Sequence, residues 1–246
     1  MKKVELINFL NEYLKIDEYE DSSKNGLQVD SQKTEIKKIW YAVDATSYIF
    51  DKAIKEKVDM IICHHGLFWG FDPVVVWTHY DRLSKLIKND IALYACHLPL
   101  DGHEEVGNNV VMLNKFVDFF AMKDCKISQI DVWYEIFFEN HIDLRKIKEF
   151  CENVDIEYKY FDNADKIKSV VFCSGSGRNF IEWRYGDYNL LITWELNHET
   201  LVLAKENNLS VLLWWHYETE IFGVQALAEK LKEKFWVEIV FLDEKY

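Results

Sequence analysis

The stretch VDMIICHHGLFWG, residues 58–70, decides how the rest of the sequence is interpreted. Its apolar run, 58–63, predicts a buried strand, and the run ends abruptly at His64 and His65 with Gly66 directly after them. The whole chain contains only eight histidines. Two adjacent histidines at the end of a buried strand therefore require an explanation, which depends on the polar residues that end the neighbouring strands.

Strand-like and helix-like segments alternate on both sides of this stretch. Short apolar runs predict strands at 39–43, 58–63, 91–96, 169–173, 188–193, 209–215 and 237–242. Amphipathic patterns predict helices at 2–15, 46–57, 79–89, 105–120 and 220–235. This alternation indicates an α/β fold with a largely parallel or mixed sheet. The pattern changes at 121–145, so we expect two α/β halves, 1–125 and 126–246.

Composition limits the class of protein. The net charge of −13 disfavours broad binding to nucleic acid, which requires a basic face. The five cysteines are dispersed without a CxxC pair, which indicates reduced thiols and no disulfide framework. No apolar run approaches the roughly 20 residues that span a bilayer, and the N-terminal helix pattern is not a signal peptide. We therefore expect a cytoplasmic protein that does not enter a membrane.

Several predicted strands end on a possible metal ligand or acid–base group. In chain order these residues are Asp44, His64, His65, His97, Asp101, Glu195, His216 and, one helical turn later, Glu220. In an open α/β sheet, ligands bind at the carboxyl ends of the strands, where the loops emerge. Adjacent strand ends would place these groups in one cleft.

Two pairs of these residues have suggestive spacing. Adjacent residues of a strand point to opposite faces, so His64 and His65 could serve one site only where the strand stops. We expect Gly66 to let the chain turn there and to bring the two imidazoles toward two neighbouring metal ions. His216 and Glu220, at i,i+4 spacing, could chelate a divalent ion. An exposed histidine pair, or acidic residues that stabilise a helix N-terminus, would explain the same patterns.

The combined donor set is His64, His65, Asp101, His216 and Glu220. It offers nitrogen and oxygen atoms without a thiolate, which fits Zn²⁺, Fe²⁺, Mn²⁺, Co²⁺ or Ni²⁺. A bridging carboxylate and a shared water are a usual means of holding two such ions. We therefore predict two divalent metal ions per chain.

Five motifs, in order along the chain, resemble one protein family. They are NGLQVDS (25–31), YAVDAT (41–46), HHGLFW (64–69), ACHLPLDG (95–102) and HYETEIFGVQALAEKL (216–231). The family is the NIF-three-like family, whose members usually carry the name GTP cyclohydrolase 1 type 2 homolog. The resemblance spans nearly the whole chain, whose length is similar to that of short members without an inserted middle domain.

This resemblance implies a dinuclear metal site with ligands at His64, His65, Asp101, His216 and Glu220. It also implies two similar α/β halves with mixed sheets and flanking helices, with the site in the cleft between them. Family members form toroidal homohexamers, trimers of dimers around a central cavity, so self-association is expected. By the same resemblance, His97 would support the ligands or act in catalysis, and Asp44 and Glu195 would line the cleft.

Tryptophan placement departs from the family pattern. Trp40, Trp194, Trp215 and Trp236 stand where members usually carry glycine or another small residue, and Trp and Gly both number nine in the chain. A tryptophan at a backbone position with positive φ would be strained. A large ring beside His216 could also narrow the pocket.

Three functions are compatible with these features. A metal-dependent hydrolase would activate a bridging water to attack carbon or phosphorus in a nucleotide or other small molecule, and the family name suggests the purine ring of GTP. The alternative is a toroidal nucleic-acid-binding or regulatory protein with structural metals. Metal storage or delivery is the third. The Gly-rich segment 173–180 could hold an anion through backbone N–H groups, although such a turn is more often only a loop.

Overall fold

The structure is a computed structural model that describes residues 1–71, 73–154, 157–164, 166–184, 188–214 and 216–242. For residues 183, 184 and 216–218 it describes the backbone alone. The chain forms two compact units. The first unit is Met1–Val106 together with Gly223–Tyr246, and the second unit is Gly107–Phe222.

The first unit is an α/β structure. Its elements are α1 (Lys3–Leu14), β1 (Gly26–Val29), β2 (Lys38–Asp44), α2 (Ser47–Lys55), β3 (Met60–His65), α3 (Trp77–Lys88), β4 (Ala92–Ala95), α4 (Leu98–Asp101) and β11 (Glu238–Phe241). The sheet order is β1-β4-β3-β2-β11. Strands β11, β2, β3 and β4 run parallel, and β1 is antiparallel to β4. The carboxyl ends of β2, β3 and β4 therefore meet at one edge of the sheet.

The last strand of the chain belongs to the first unit, because β11 pairs in parallel with β2. The expected halves, 1–125 and 126–246, differ from the observed units for this reason, and also because residues 107–125 belong to the second unit. A local hydrophobic pattern predicts that a segment is a strand but carries no information on which strand it pairs with.

The second unit is also an α/β structure. Its elements are α5 (Asn108–Phe119), β5 (Cys125–Ile130), β6 (Trp133–Ile142), α6 (Leu144–Asn153), β7 (Tyr158–Phe161), β8 (Ile167–Phe172), α7 (Arg178–Arg184), β9 (Leu190–Thr193), α8 (His198–Glu206) and β10 (Ser210–Trp214). The sheet order is β5-β6-β8-β9-β10-β7. Strands β8, β9 and β10 are parallel, whereas the other pairings are antiparallel. Helix α9 (His216–Phe235) begins in this unit and ends in the first.

Alternate residues of the parallel strands in the second unit face two hydrophobic clusters. Val170 and Phe172 pack in a cluster with Phe116, whereas Val171 packs in another with Phe180. Both faces of these strands are covered, as parallel sheets require. This burial explains why the strands have nearly continuous apolar sequences.

The predicted α/β class is confirmed, and most predicted elements are present with shifted ends. The region 121–145, predicted only as a change of pattern, contains the antiparallel strands β5 and β6. Helix α9 begins at His216, as expected, which puts His216 and Glu220 in one helix. Within the described ranges, no helix is both long enough and apolar enough to cross a membrane.

Two exposed tryptophans occupy left-handed backbone conformations. Trp236 has φ 51° and is 94% exposed, and Trp77 has φ 45° and is 87% exposed. A bulky residue at positive φ is strained, and an exposed indole gains little burial in return. Trp236 therefore has the strain expected of a tryptophan at a glycine position. By contrast Trp40 is buried in β2, and Trp215 lies outside the described residues.

Candidate metal centre

Three histidines converge at the strand ends of the first unit. His64 and His65 are the last two residues of β3, and His97 directly precedes α4. One possible ligand atom from each of the three lies within 4.8 Å of the others. The ring centroids are 4.6 Å apart for His64 and His65, 5.1 Å for His64 and His97, and 5.6 Å for His65 and His97. The expected grouping of strand-end histidines is therefore present.

The strand predicted at 58–63 continues through the histidine pair and ends at His65, directly before Gly66. His65 is still paired with Asp44 of β2, and the backbone N–H of Ala45 donates to the His65 carbonyl at 2.9 Å. Gly66 is needed for space and not for a special φ, because a Cβ there would lie 2.3 Å from Gln28 Oε1. That oxygen accepts from the backbone N–H of Leu67 at 2.7 Å, so Gln28 fixes the chain after the strand.

Each of the three imidazoles has its Nδ1 directed at an oxygen acceptor. His64 Nδ1 lies 2.9 Å from the Cys96 carbonyl, His65 Nδ1 lies 2.9 Å from Asp44 Oδ1, and His97 Nδ1 lies 2.9 Å from Asp21 Oδ1. A carbonyl can only accept, and an ionised carboxylate likewise, so the proton of each neutral ring is on Nδ1. Nε2 then carries the lone pair that a metal ion requires.

Asp21 contacts the histidine group although no sequence pattern predicts it. Its side chain is 2% exposed, and besides His97 it accepts from the backbone N–H of Ser23 and Leu98 and from the Asn25 amide. Burial alone would raise the pKa of Asp21, but the hydrogen bonds from His97, Asn25 and Ser23 outweigh it and hold the pKa well below the ordinary value. Asp21 is therefore ionised and orients His97.

No local signal identifies Asp21 in the sequence. It lies in the polar stretch YEDSSKNG, residues 19–26, and precedes His97 by 76 positions. The stretch reads only as a turn, in which aspartate commonly caps the backbone. Asp44, in contrast, follows the strand-end pattern, and its hydrogen bond to His65 gives it a defined role.

Asp101, a predicted ligand, lies beside His64. Its Oδ2 is 3.6 Å from His64 Nε2, and the two side chains are 5% and 0% exposed. Asp101 reaches this position because α4 forms directly after His97, whose carbonyl accepts from the Asp101 N–H at 3.1 Å. An imidazole Nε2 and a carboxylate at this separation suit a shared divalent ion.

The donor chemistry of the first unit fits a divalent metal ion. Three imidazoles and one carboxylate are ligands that Zn²⁺, Fe²⁺, Mn²⁺, Co²⁺ and Ni²⁺ accept. Cys63 and Cys96 lie nearby in the chain, but burial raises the pKa of both thiols well above the ordinary value. Neither thiol belongs to the described group of possible metal ligands, which consists of His64, His65 and His97.

The remaining predicted residues belong to the second unit. Glu220 is 1% exposed in α9, and its Oε1 is 3.6 Å from the position a Cβ on Gly175 would take. Glu195 is exposed at the end of β9, where it forms an isolated bridge with Ser176. The His216 side chain lies outside what the structure describes, so its role as a ligand stays a prediction.

An open cavity of about 460 Å³ adjoins His65. It is lined by Asp44, Ala45, Thr46, His65, Gly66, Trp69 and Arg82. The Trp69 ring lies 4.9 Å from the His97 ring and 5.9 Å from the His65 ring, and its Nε1–H donates to the Gly66 carbonyl at 2.9 Å. A molecule in this cavity would therefore contact both an aromatic surface and the histidine group.

Comparison with known proteins identifies relatives over the full chain. The family model described as Duf34/NIF3 (NGG1p interacting factor 3) matches residues 1–246. The GTP cyclohydrolase 1 type 2 homolog of Pyrococcus horikoshii is 40% identical over 250 residues, covering 99% of this chain and 98% of the relative. The protein of that name from Archaeoglobus fulgidus is 36% identical over 249 residues, with 99% and 98% covered.

Solved structures show the same fold. TTHA1606 from Thermus thermophilus matches with a TM-score of 0.88 and 36% identity over 100% of this chain and 99% of that one. Reduced HcgD from Methanocaldococcus jannaschii matches with a TM-score of 0.85 and 26% identity over 99% and 98%. These matches and the family model lead to one conclusion: the chain belongs to the Duf34/NIF3 family.

Proposed function

We propose that the protein binds divalent metal ions at the strand ends of its first unit and hydrolyses a small molecule there. The observation that carries this proposal is the common orientation of three imidazoles, each with Nδ1 engaged by an oxygen acceptor. Metal-binding histidines almost always donate their other ring N–H to a carboxylate or a carbonyl. A group of merely structural histidines has no need for this shared arrangement.

His64, His65 and Asp101 would hold the metal, with His97 as a further imidazole ligand or as the catalytic histidine. His216 and Glu220 remain the predicted ligands of the second unit, and two ions per chain remain our expectation. When bound, divalent ions supply Lewis-acid chemistry that activates water for hydrolysis. The chain's own part is to hold a proton on each Nδ1, through Asp44, Asp21 and the Cys96 carbonyl, and to keep the His64 side of the group buried.

The substrate proposal rests on the names of relatives and on the cavity. Relatives at 36–40% identity are called GTP cyclohydrolase 1 type 2 homologs, and we propose a nucleotide or another small molecule as the substrate. The cavity of about 460 Å³ beside His65 is large enough for part of such a molecule. The net charge of −13 counts against the alternative of a nucleic-acid-binding ring.

We also propose that the chain assembles with itself, as a homohexamer built from dimers. An exposed apolar surface in the first unit supports self-association: Phe71 is 93% exposed, Val74 77% and Tyr80 56%. Exposed patches of this kind commonly mark interfaces. Light scattering on the full chain tests this proposal. A monomer mass at micromolar concentration would contradict it.

Activity and metal dependence test the hydrolase proposal together. GTP and a panel of phosphorylated small molecules would be incubated with protein loaded with Zn²⁺, Mn²⁺ or Fe²⁺, and with the variants His97→Gln and Glu220→Ala. We expect hydrolysis of at least one compound, abolished by chelation and by His97→Gln. The matched control is His198→Gln, an exposed histidine of the second unit. Metal-independent hydrolysis, or equal activity in His97→Gln, would contradict the proposal.

A further inference from the structure

We propose that Arg82 binds a phosphate group of the substrate in the cavity beside His65. The expected ligand is a small phosphorylated molecule that carries a planar ring. This inference rests on the proposed function, because it assigns a substrate class to the same site. It depends on separate observations, however, which concern Arg82, Trp69 and the start of α2.

Arg82 is a half-buried cation that has no counter-charge among the residues that the structure describes. It lies on α3 and lines the cavity, and its Nε is enclosed without a hydrogen-bond partner among the described residues. No ion pair within the described ranges includes Arg82, whereas Lys85, on the same helix, pairs with Asp51 at 2.8 Å and Asp81 at 3.5 Å. Leaving a buried donor unsatisfied costs free energy, so a ligand that accepts from Arg82 would be favoured.

The shape of the guanidinium selects for an anion of fixed geometry. Its planar fork matches the oxygens of phosphate or carboxylate with two parallel hydrogen bonds, which a lysine cannot reproduce. Asp44, the carboxylate that lines the same cavity, accepts from His65 Nδ1 and is not paired with Arg82. The cavity therefore presents one guanidinium whose charge is not neutralised by its neighbour.

The start of α2 adds a second favourable contribution. Ala45 and Thr46 line the cavity, and Thr46 is the N-cap of the nine-residue helix Ser47–Lys55, with Oγ1 accepting from the Ile49 N–H at 3.2 Å. Helix N-termini stabilise nearby anions. An anion bound to Arg82 would thus also lie near the positive end of a helix dipole.

Trp69 sets the class of molecule that carries the anion. The residue is 37% exposed and lines the cavity, and its ring is held by the hydrogen bond from Nε1–H to the Gly66 carbonyl. Such a fixed indole favours a flat ring, and stacking on an aromatic side chain contributes about 1–3 kcal/mol per base in nucleic-acid binding. A phosphate at Arg82 and a ring at Trp69 would orient the molecule beside His65 and His97.

Calorimetric titration of the full chain tests the proposal. The probes are inorganic phosphate, guanosine 5′-monophosphate, guanosine and acetate, each added to metal-free and to zinc-loaded protein. We expect both phosphates to bind, and Arg82→Gln to weaken their binding by about tenfold or more, as for a lost charge-assisted hydrogen bond. Arg82→Lys should lose part of the affinity. Lys88→Gln, which removes the same charge from an exposed position on α3, should stay within about twofold of wild type.

Three outcomes would overturn the proposal: wild type that binds neither phosphate, Arg82→Gln that binds as tightly as wild type, or binding of acetate in place of phosphate. Melting curves check that Arg82→Gln is folded. If Arg82→Gln does not fold, the affinity of Arg82→Lys, which keeps the charge, decides the test. Metal content, measured on the same samples, separates this proposal from the proposed function. Phosphate binding that depends on Arg82 in a protein that binds no metal would contradict the proposed function and support the role of Arg82. Metal binding without phosphate binding would support the metal site and contradict the role of Arg82.

Discussion

Both units contain parallel strands, four in the first (β11, β2, β3 and β4) and three in the second (β8, β9 and β10), yet their strand ends are chemically different. In the first unit, β2, β3 and the residues after β4 present Asp44, His65 and His97, whose side chains contact one another or lie within a few Å. In the second unit, β8 leads into a turn rich in serine and glycine, and β9 ends at Thr193. The residues at the end of β3 and after β4 thus form a group of possible metal donors, whereas the residues after β8 form a packed turn.

Polar groups of the packed turn are hydrogen-bonded to other residues of the second unit. Thr193 Oγ1–H donates to the Gly175 carbonyl at 2.8 Å, and the backbone N–H of Ser174 donates to Asn109 Oδ1 at 2.5 Å. The possible anion cradle at 173–180 therefore has one of its N–H groups occupied. A polar strand end is a candidate binding site when one atom of a side chain is held by the protein and a second atom of the same side chain can bind a ligand, as with Nδ1 and Nε2 of the histidines in the first unit. A polar strand end is structural when the backbone satisfies it.

The largest expected effect is a loss of zinc affinity on substitution of Asp21, which an exposed carboxylate nearby should not show. Asp21→Asn should weaken zinc binding by about tenfold to hundredfold, because partners that orient a metal-binding histidine have effects of this size. The measurement is competition with a chromophoric chelator. Asp17→Asn, an exposed carboxylate of the same region, is the control and should bind zinc as wild type does. Unchanged affinity in Asp21→Asn would show that Asp21 supports only the loop.

Alanine substitutions at one glycine of each unit test whether the turn of the second unit is structural and the strand end of the first unit serves the metal. An alanine Cβ at Gly177 would lie 2.9 Å from Thr193 Oγ1 and 3.0 Å from Leu191 Cδ2, so Gly177→Ala should lower the free energy of unfolding by about 1–3 kcal/mol. It should leave zinc affinity unchanged. Urea unfolding and chelator competition would be run on the same samples. A loss of zinc affinity would show that the turn of the second unit also serves the metal.

Gly66→Ala should affect zinc affinity more than stability, the reverse of Gly177→Ala. Its Cβ would meet the flexible end of Gln28, which would move away and release the N–H groups of Leu67 and Phe68 that it now accepts from. We expect a small change in the free energy of unfolding and a clear loss of zinc affinity, because the chain that follows the histidine pair would shift. Equal zinc affinity would show that Gln28 does not position the site.

Asp59, at the opposite end of β3 from the histidines, is a carboxylate that we expect to affect stability and not metal binding. Asp59 accepts from the backbone N–H groups of Lys37 and Lys38 and from Lys33 Nζ. Burial would raise its pKa, but these hydrogen bonds outweigh burial and lower the pKa. Its stabilising effect is therefore fully present above the unfolded-state pKa, about 3.9, and is lost as the pH falls through the folded-state pKa.

The test of this effect is the difference in unfolding free energy between wild type and Asp59→Asn from pH 7 to pH 2.5. The difference should be about 1–2 kcal/mol at neutral pH, the size of a lost charge-assisted hydrogen bond, and should shrink in acid. Zinc affinity at neutral pH should not change. A difference that stays constant with pH would contradict the lowered pKa.

The smallest expected effect is a gain of stability. Trp236→Gly should raise the free energy of unfolding by about 1 kcal/mol, because glycine adopts positive φ without the strain that a bulky residue has there. The matched control is Trp40→Gly, which removes a buried side chain from β2 and should cost about 3 kcal/mol or more. Thermal melts report both. A loss of stability in Trp236→Gly would show that the exposed indole has a stabilising contact.

Much of the fold and half of the site could be predicted from local sequence. The apolar runs that become β3 and β4 are continuous because both faces of the strands are buried, and strand ends are where polar residues can collect. His64, His65, His97 and Asp101 were identified in this way. That logic needs no knowledge of which strands are neighbours.

The rest depends on contacts between distant segments. Asp21 becomes functional only because the loop before β1 packs on the start of α4, and no periodicity signals such a contact. The pairing of β11 with β2 depends on tertiary structure in the same way. The role of Gly66 also depends on Gln28, 38 positions earlier, which no local pattern indicates.

The central claim is that the histidine group of the first unit binds a metal through Nε2, with His64 and His65 as ligands. X-ray absorption at the zinc edge of the zinc-loaded protein, wild type and His65→Gln, tests it most directly. We predict a shell of nitrogen and oxygen at about 2.0–2.1 Å, with imidazole scattering that decreases in the variant. A sulfur shell at about 2.3 Å, or a spectrum without imidazole scattering, would contradict the claim.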